Sequence, residues 1–262
     1  AAAEAFRPDG RMIAVSNQKG GVAKTTTCLN LGVSLALRRA RVLLVDFDGQ
    51  ANLSISLGYP GQWSFYEAVQ SPDRPLETFI LPTRYPGVSL LPSSRNMVLL
   101  NKKYFGARRF EYLLRDRLRT VRERFDYIIV DTPPSIEFFT LNALSACGTA
   151  IIPSHCDYLS THGVDQILKL IELIRRKTNP ALEARILLTM FDRHSTAARV
   201  VRGKLAQLYA GRTFRTVIEM DPKVREAQIL TLPVIHYDKH SPAGLQYATL
   251  AQEMTGALRA AA

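Results

Sequence analysis

The stretch Asn17-Gln18-Lys19-Gly20-Gly21-Val22-Ala23-Lys24-Thr25-Thr26-Thr27 follows the apolar run Met12-Ile13-Ala14-Val15 and opens a helical-looking segment from Thr25 to Leu37. A strand, a Gly-Gly turn and a Lys-Thr pair at a helix start make the layout of a phosphate-binding loop. In such a loop, backbone N–H groups and the helix N-terminus converge on one spot and favour an anion there. Lys24 is placed to reach β- and γ-phosphates, and the Thr25 hydroxyl to bind Mg²⁺. Gly20, Gly21, Val22, Ala23 and Thr26 complete the expected cradle. The strict pattern G-x-x-x-x-G-K-[ST] fails, because Gln18 and Ala23 occupy its two glycine positions. What fits is a variant with an additional lysine, Lys19, ahead of the glycines.

Working outward, two more apolar runs end in carboxylates. One is Val42-Leu43-Leu44-Val45-Asp46-Phe47-Asp48-Gly49-Gln50; the other is Tyr127-Ile128-Ile129-Val130-Asp131-Thr132-Pro133-Pro134. Further candidate strands are Val88–Pro92, Ala150–Pro153, Arg185–Met190 and Thr213–Ile218, with helical stretches between most of them. Alternation of this kind predicts an α/β fold: a single-domain, mostly parallel twisted sheet with helices on both faces. Right-handed crossovers collect the strand C-terminal ends on one edge, where ligands bind. All three aspartates then sit beside the loop. Asp131, after four apolar residues, looks like a Walker B carboxylate that holds Mg²⁺, usually through a water. Each aspartate taken alone also fits a helix cap; their coincidence with the loop favours the nucleotide reading.

The chain has 262 residues and is 47% hydrophobic, enough for a sizeable core. No apolar run is long enough to span a bilayer. Residues 1–10 read as a short disordered lead and 11–259 as the domain. Cys28, Cys147 and Cys156 are odd in number and lack C-x-x-C spacing, which suits buried free thiols in a reducing compartment. The first helix carries Leu29, Leu31, Val33, Leu35 and Leu37, too dense for a one-sided stripe, so it is expected to be well buried. A net charge of +11 points to a polyanionic partner.

The motif Lys-Gly-Gly-x-x-Lys-Thr resembles the deviant Walker A loop of the ParA/MinD group of ATPases, and the resemblance extends over nearly the whole chain to the ParA/Soj type of chromosome or plasmid partition ATPase. It implies a P-loop NTPase that uses ATP and Mg²⁺. It implies that Lys19 crosses a dimer interface to the partner's nucleotide, and that Asp48, second Asp of a D-x-D-x-Q first switch, positions the attacking water. Asp46 then lies near the metal's outer shell, and Asp131-Thr132-Pro133-Pro134 matches the second switch. Thr189-Met190-Phe191-Asp192 resembles the family's Thr-Met-(Tyr/Phe)-Asp. Met190 stands where guanine-specific relatives carry lysine, so ATP is favoured over GTP. Asp192 and Met220 become candidate nucleotide contacts, although Ile218-Glu219-Met220-Asp221 replaces a usual Ile-Pro-Arg-Asn. Ala23 in place of a glycine, and Gly49 in place of a usual proline, leave the hydrolysis rate open.

From Lys169 to Arg225 there are thirteen cations against five acids. In partition ATPases basic residues gathered by an ATP-dependent homodimer bind DNA without sequence preference. The candidates here are Arg199, Arg202, Lys204, Arg212, Arg215, Lys223 and Arg225. The resemblance also implies a ParB-like centromere-binding adaptor that stimulates hydrolysis, and a cytoplasmic, nucleoid-associated protein without stable membrane association. A MinD-like membrane-cycling ATPase is the main alternative. Its relatives carry a basic amphipathic C-terminal helix, whereas Leu245–Arg259 here has one late arginine and an acid, and reads as a helix docked on the core. An iron–sulfur electron donor is disfavoured by the cysteines, and positioning of another cargo stays open.

Overall fold

All residues of Met12–Val15, Val42–Asp46 and Tyr127–Asp131 are buried, because each strand has a covered sheet face on both sides. Successive side chains alternate between those faces. Met12, Ala14, Leu43, Val45, Ile128 and Val130 enter one core, whereas Ile13, Val15, Val42, Leu44, Tyr127 and Ile129 enter the other. The unbroken apolar runs follow directly from this two-sided burial.

The structure is a computed structural model that describes residues 11–59, 61, 63–157 and 160–260; the expected lead, 1–10, lies outside the described residues. The strands are β1 (Met12–Val15), β2 (Val42–Asp46), β3 (Leu81–Pro82), β4 (Val88–Leu91), β5 (Tyr127–Asp131), β6 (Thr149–Ser154), β7 (Glu183–Phe191) and β8 (Thr213–Glu219). Among the described residues they form one sheet in the order β3-β4-β2-β5-β1-β6-β7-β8. All pairings are parallel except β3 with β4. The seven expected strands are all present, with ends shifted by at most two residues. The two-residue β3 was not foreseen.

Helices α1 (Lys24–Leu37) and α2 (Asn52–Ser56) flank β2 in sequence, followed by α3 (Phe65–Gln70), α4 (Met97–Tyr104), α5 (Leu113–Leu118), α6 (Phe138–Ala146), α7 (Ser160–Lys177), α8 (Thr196–Leu208), α9 (Pro222–Ile229), α10 (Val234–Tyr237) and α11 (Pro242–Ala260). Helices α3 to α8 send their apolar residues into one core. Helices α1, α2, α9, α10 and α11 fill the other. As expected, α1 is nearly engulfed: Thr27 to Leu35 are all buried, and only its end, at Leu37, returns to solvent. Helix α11 docks on α1, α10 and β8 through Ala243, Tyr247, Leu250, Ala251 and Met254. It also blunts the sheet edge, since the Glu253 carboxylate accepts from the backbone N–H of Arg215 at 2.9 Å and of Thr216 at 3.0 Å.

This topology positions the site. The chain leaves β1 for β2, skipping the place later filled by β5, and later returns to put β6 on the other side of β1. The loop after β1 therefore opens at a topological switch point. Parallel register sets Asp131 level with both Val15 and Asp46.

Candidate nucleotide and cation site

The loop between β1 and α1 is held from outside by its carbonyls. Thr132 Oγ1 donates to Val15 O at 2.9 Å, Lys24 Nζ to Lys19 O at 2.9 Å, and Thr189 Oγ1 to Val22 O at 3.2 Å. His155 Nε2 lies 3.0 Å from Gly21 O, and Asn17 Nδ2 anchors the loop start to Pro153 O at 2.8 Å. With these carbonyls engaged, the loop's N–H groups are the part of its backbone left to meet an anion. Gly21 has φ +71°, and no atom lies within 4 Å of where a Cβ would stand on Gly20 or Gly21. Ala23 takes φ 65°, ψ 32° at the helix start, a left-handed conformation that costs a non-glycine residue about 1 kcal/mol. The loop thus keeps its turn at Ala23 by accepting that strain.

Loop and strand ends open on a cavity of about 700 Å³ lined by Gly20, Gly21, Ala23, Lys24, Thr25, Thr26, Asp48, Thr132 and Pro134 on one side. Met190, Met220, Pro222, Val224, Arg225 and Gln228 line the other. The size suits a small-molecule ligand, with the Gly-Gly loop and Lys24 at one end and, at the other, a recess where Met190, Met220 and Val224 meet Arg225 and the acids Glu219, Asp221 and Glu226.

Thr25 Oγ1 donates to Asp131 Oδ2 at 2.6 Å. Burial pushes the Asp131 carboxyl up to about 8, the neighbouring Asp46 adding to the rise and the Thr25 bond opposing it. Asp46 is raised to about 6, again by burial first, against bonds from Ser54 and Asp48 that favour its charge. Burial lowers Lys24, partly countered by Asp131 and Asp48. One buried ammonium therefore faces more anionic capacity than it balances. Asp131 Oδ1 is buried without a hydrogen-bond partner. An orphaned carboxylate oxygen beside a threonine hydroxyl is the oxygen-donor chemistry of a hard cation, and these residues fit Mg²⁺. Among the described residues no three His, Cys, Asp or Glu side chains make a self-sufficient metal cage. Mg²⁺ in phosphate sites needs only one or two carboxylates.

The structure does not gather every sequence candidate here. Val22 is buried and stays off the cavity wall. Lys19 is also off the wall; its Nζ lies 2.5 Å from Asp157 Oδ2, both side chains being close to 40% exposed. Asp192 is not among the lining residues: its Oδ1 accepts from His194 N at 2.9 Å, at the turn before α8. Met190, with φ 52°, reaches the cavity in its place.

The basic candidates also divide. Arg199, Arg202 and Lys204 are exposed on α8, while Arg212 and Arg215 are exposed at the start of β8. Lys223 and Arg225 stand on α9, which packs on the opposite sheet face. Lys223 pairs with Glu226 at 2.8 Å, and Arg225 lines the nucleotide cavity. Sequence reasoning missed Ser54 and Ser93, whose hydroxyls donate to Asp46 Oδ2 and Asp48 O, and Gln228, whose Nε2 donates to Thr26 Oγ1 at 2.9 Å. These partners lie 8 to 202 residues apart, and no local motif announces them.

Comparison with known proteins places the chain among its relatives. The AAA domain family (AAA_31) matches residues 10–184. The chain is 35% identical over 249 residues to the chromosome partitioning protein ParA of Myxococcus xanthus, covering 94% of this chain and 88% of that one. It is 35% identical over 250 residues to the chromosome-partitioning ATPase Soj of Thermus thermophilus, covering 95% and 97%. Among solved structures it resembles cobyrinic acid a,c-diamide synthase from Mycobacterium smegmatis with bound ADP and magnesium, with 32% identity, a TM-score of 0.80 and coverage of 92% of each chain.

Proposed function

The chain belongs to the ParA/Soj family of P-loop ATPases, with ATP and Mg²⁺ as its cofactors, and from that premise we propose that it is a DNA-segregation ATPase that dimerises around ATP. Bound Mg²⁺ supplies charge neutralisation to the β- and γ-phosphates. The rest falls to the chain. Thr25 and Asp131 hold the cation, with Asp46 behind them. The loop amides and Lys24 bind the phosphates, and Asp48 orients the attacking water. Lys19 leaves Asp157 and reaches the nucleotide of a second copy, adding positive charge in trans as an arginine finger does. The recess at Met190, Met220 and Arg225 receives the adenine.

In this reading the ATP dimer brings two basic surfaces together on DNA without sequence preference. A ParB-like, centromere-bound adaptor triggers hydrolysis and release, and the protein works in the cytoplasm on the nucleoid. The observation that carries the proposal is the pairing of the Lys19/Lys24 loop with the orphaned, buried Asp131 and its Thr25 partner. A MinD-like membrane cycle is less well supported. Helix α11 sends Ala243, Tyr247, Leu250, Ala251 and Met254 into the core, while Leu245 faces solvent.

Sedimentation velocity of the Asp48→Ala protein tests the proposal. ATP and Mg²⁺ should convert monomer to dimer, and only the dimer should shift a DNA duplex. A monomer under both conditions would refute the ATP sandwich.

A further inference from the structure

The segment that carries Asp48 turns tightly, with Ala51 N donating to Asp48 O at 2.9 Å and Gln50 N to Asp48 Oδ1 at 2.9 Å. Asp48 is followed by Gly49, and a Cβ on Gly49 would meet nothing closer than Met97 Cβ at 3.8 Å, so packing does not fix the loop there. Hydrogen bonds must, because Asp48 lines the cavity and is only half-buried.

A closed ring of hydrogen bonds does so. Asp48 N donates to Asp46 Oδ1 at 3.3 Å. Ser54 N and Ser54 Oγ both donate to Asp46 Oδ2, at 2.8 and 2.7 Å. Ser93 N donates to Ser54 Oγ at 3.0 Å, and Ser93 Oγ closes the ring on Asp48 O at 2.6 Å. Asp46, Ser54 and Ser93 are all fully buried. Each hydroxyl has one proton, and here each proton has one destination: Ser54 directs its own to Asp46 and accepts from Ser93 N, leaving the Ser93 proton for Asp48. Ser93 follows β4, a strand none of whose residues lines the cavity. It reaches the segment after the adjacent strand β2, where its hydroxyl joins Ala51 N on the Asp48 carbonyl.

We propose that Ser93, linked through Ser54 to Asp46, is a positioning residue that sets Asp48 for hydrolysis. The proposal rests on the reading of Asp48 as the group that orients the water. Displacing such a group by a fraction of an ångström slows the chemical step and leaves ground-state binding intact. A role in the fold alone would lower stability and affinity instead.

A double-mutant cycle read by single-turnover hydrolysis and ATP titration tests it. Ser93→Ala should lower the hydrolysis rate roughly tenfold while the Kd for ATP changes by less than about twofold. In an Asp48→Ala background the same substitution should have no further effect. An unchanged rate in Ser93→Ala overturns the proposal. So does the same fold-loss in both backgrounds, or loss of ATP binding by Ser93→Ala, since each assigns Ser93 to something other than Asp48. If instead Asp48→Ala hydrolyses at the native rate, the reading of Asp48 itself fails, and that outcome is separate from the others.

Discussion

Asp131 shows how much one buried carboxylate can cost while the cation proposed for it is absent. Its environment raises its pKa to about 8 and that of Asp46 to about 6. A raised carboxylate pKa means that, without Mg²⁺, the folded state keeps protons that the unfolded chain has released. The stability tied to these groups is fully present below about pH 4, the unfolded value, and is lost as pH rises through 6 and 8. Asp131→Asn removes one of the two charges and keeps an acceptor for Thr25. In EDTA, urea unfolding should show the variant gaining on the native protein between pH 5 and pH 8.5, by on the order of a few kcal/mol. With Mg²⁺ and ATP the ranking should reverse, because the variant has lost a cation ligand. A pH-independent difference in EDTA would mean that Asp131 is not a strained, cation-awaiting carboxylate. Ala23 makes a related point, since its left-handed backbone keeps the loop shape at a conformational cost that a glycine would not carry.

At the scale of elements, α8 and α9 separate the basic residues that the sequence ran together. Arg199, Arg202 and Lys204 share α8 and face solvent, whereas Lys223 is engaged by Glu226 and Arg225 borders the cavity. A triple alanine change on α8 should therefore weaken DNA binding and lower the slope of log K against log salt by about 0.9 for each phosphate left without its cation. Alanine at Arg225 should act first on ATP affinity. Fluorescence anisotropy at several salt concentrations separates these, and an unaltered slope in the triple variant would move the DNA footprint elsewhere. The same elements show what was legible beforehand. Strands β1, β2 and β5 announced themselves because burial on both faces writes an unbroken apolar run. The loop announced itself because its backbone chemistry demands Gly-Gly and Lys-Thr at fixed spacing. Strand β3 is two residues long and contains Pro82, so it carries no periodicity. Ser54 and Ser93 were silent, because a hydrogen bond between them depends on sheet order. The assignment of Asp192 to the nucleotide came from a motif match alone, and the turn before α8 directs that carboxylate to His194 N.

For the whole molecule, the decisive interaction is the one between Lys19 and Asp157. In the single chain, the cation that this reading lends to a second copy is bound at home, 2.5 Å from a carboxylate just beyond the end of the neighbouring strand β6. Both side chains are more than a third exposed, so water screens the pair and its worth is at most about 1 kcal/mol. That is little enough for a triphosphate to overcome, and enough to bias an equilibrium. Asp157→Asn should tighten ATP-dependent self-association by up to about fivefold per Lys19 released, and leave the protein monomeric without nucleotide. Lys19→Ala should abolish ATP-dependent association while ATP still binds through Lys24. Sedimentation equilibrium over a range of ATP concentrations measures both. Weaker association in Asp157→Asn would show that Asp157 works with the second copy and does not compete for Lys19. Because each nucleotide in the proposed dimer meets one such lysine, the effect should appear twice per dimer, so the dimer constant should respond more steeply than the ATP affinity of the monomer.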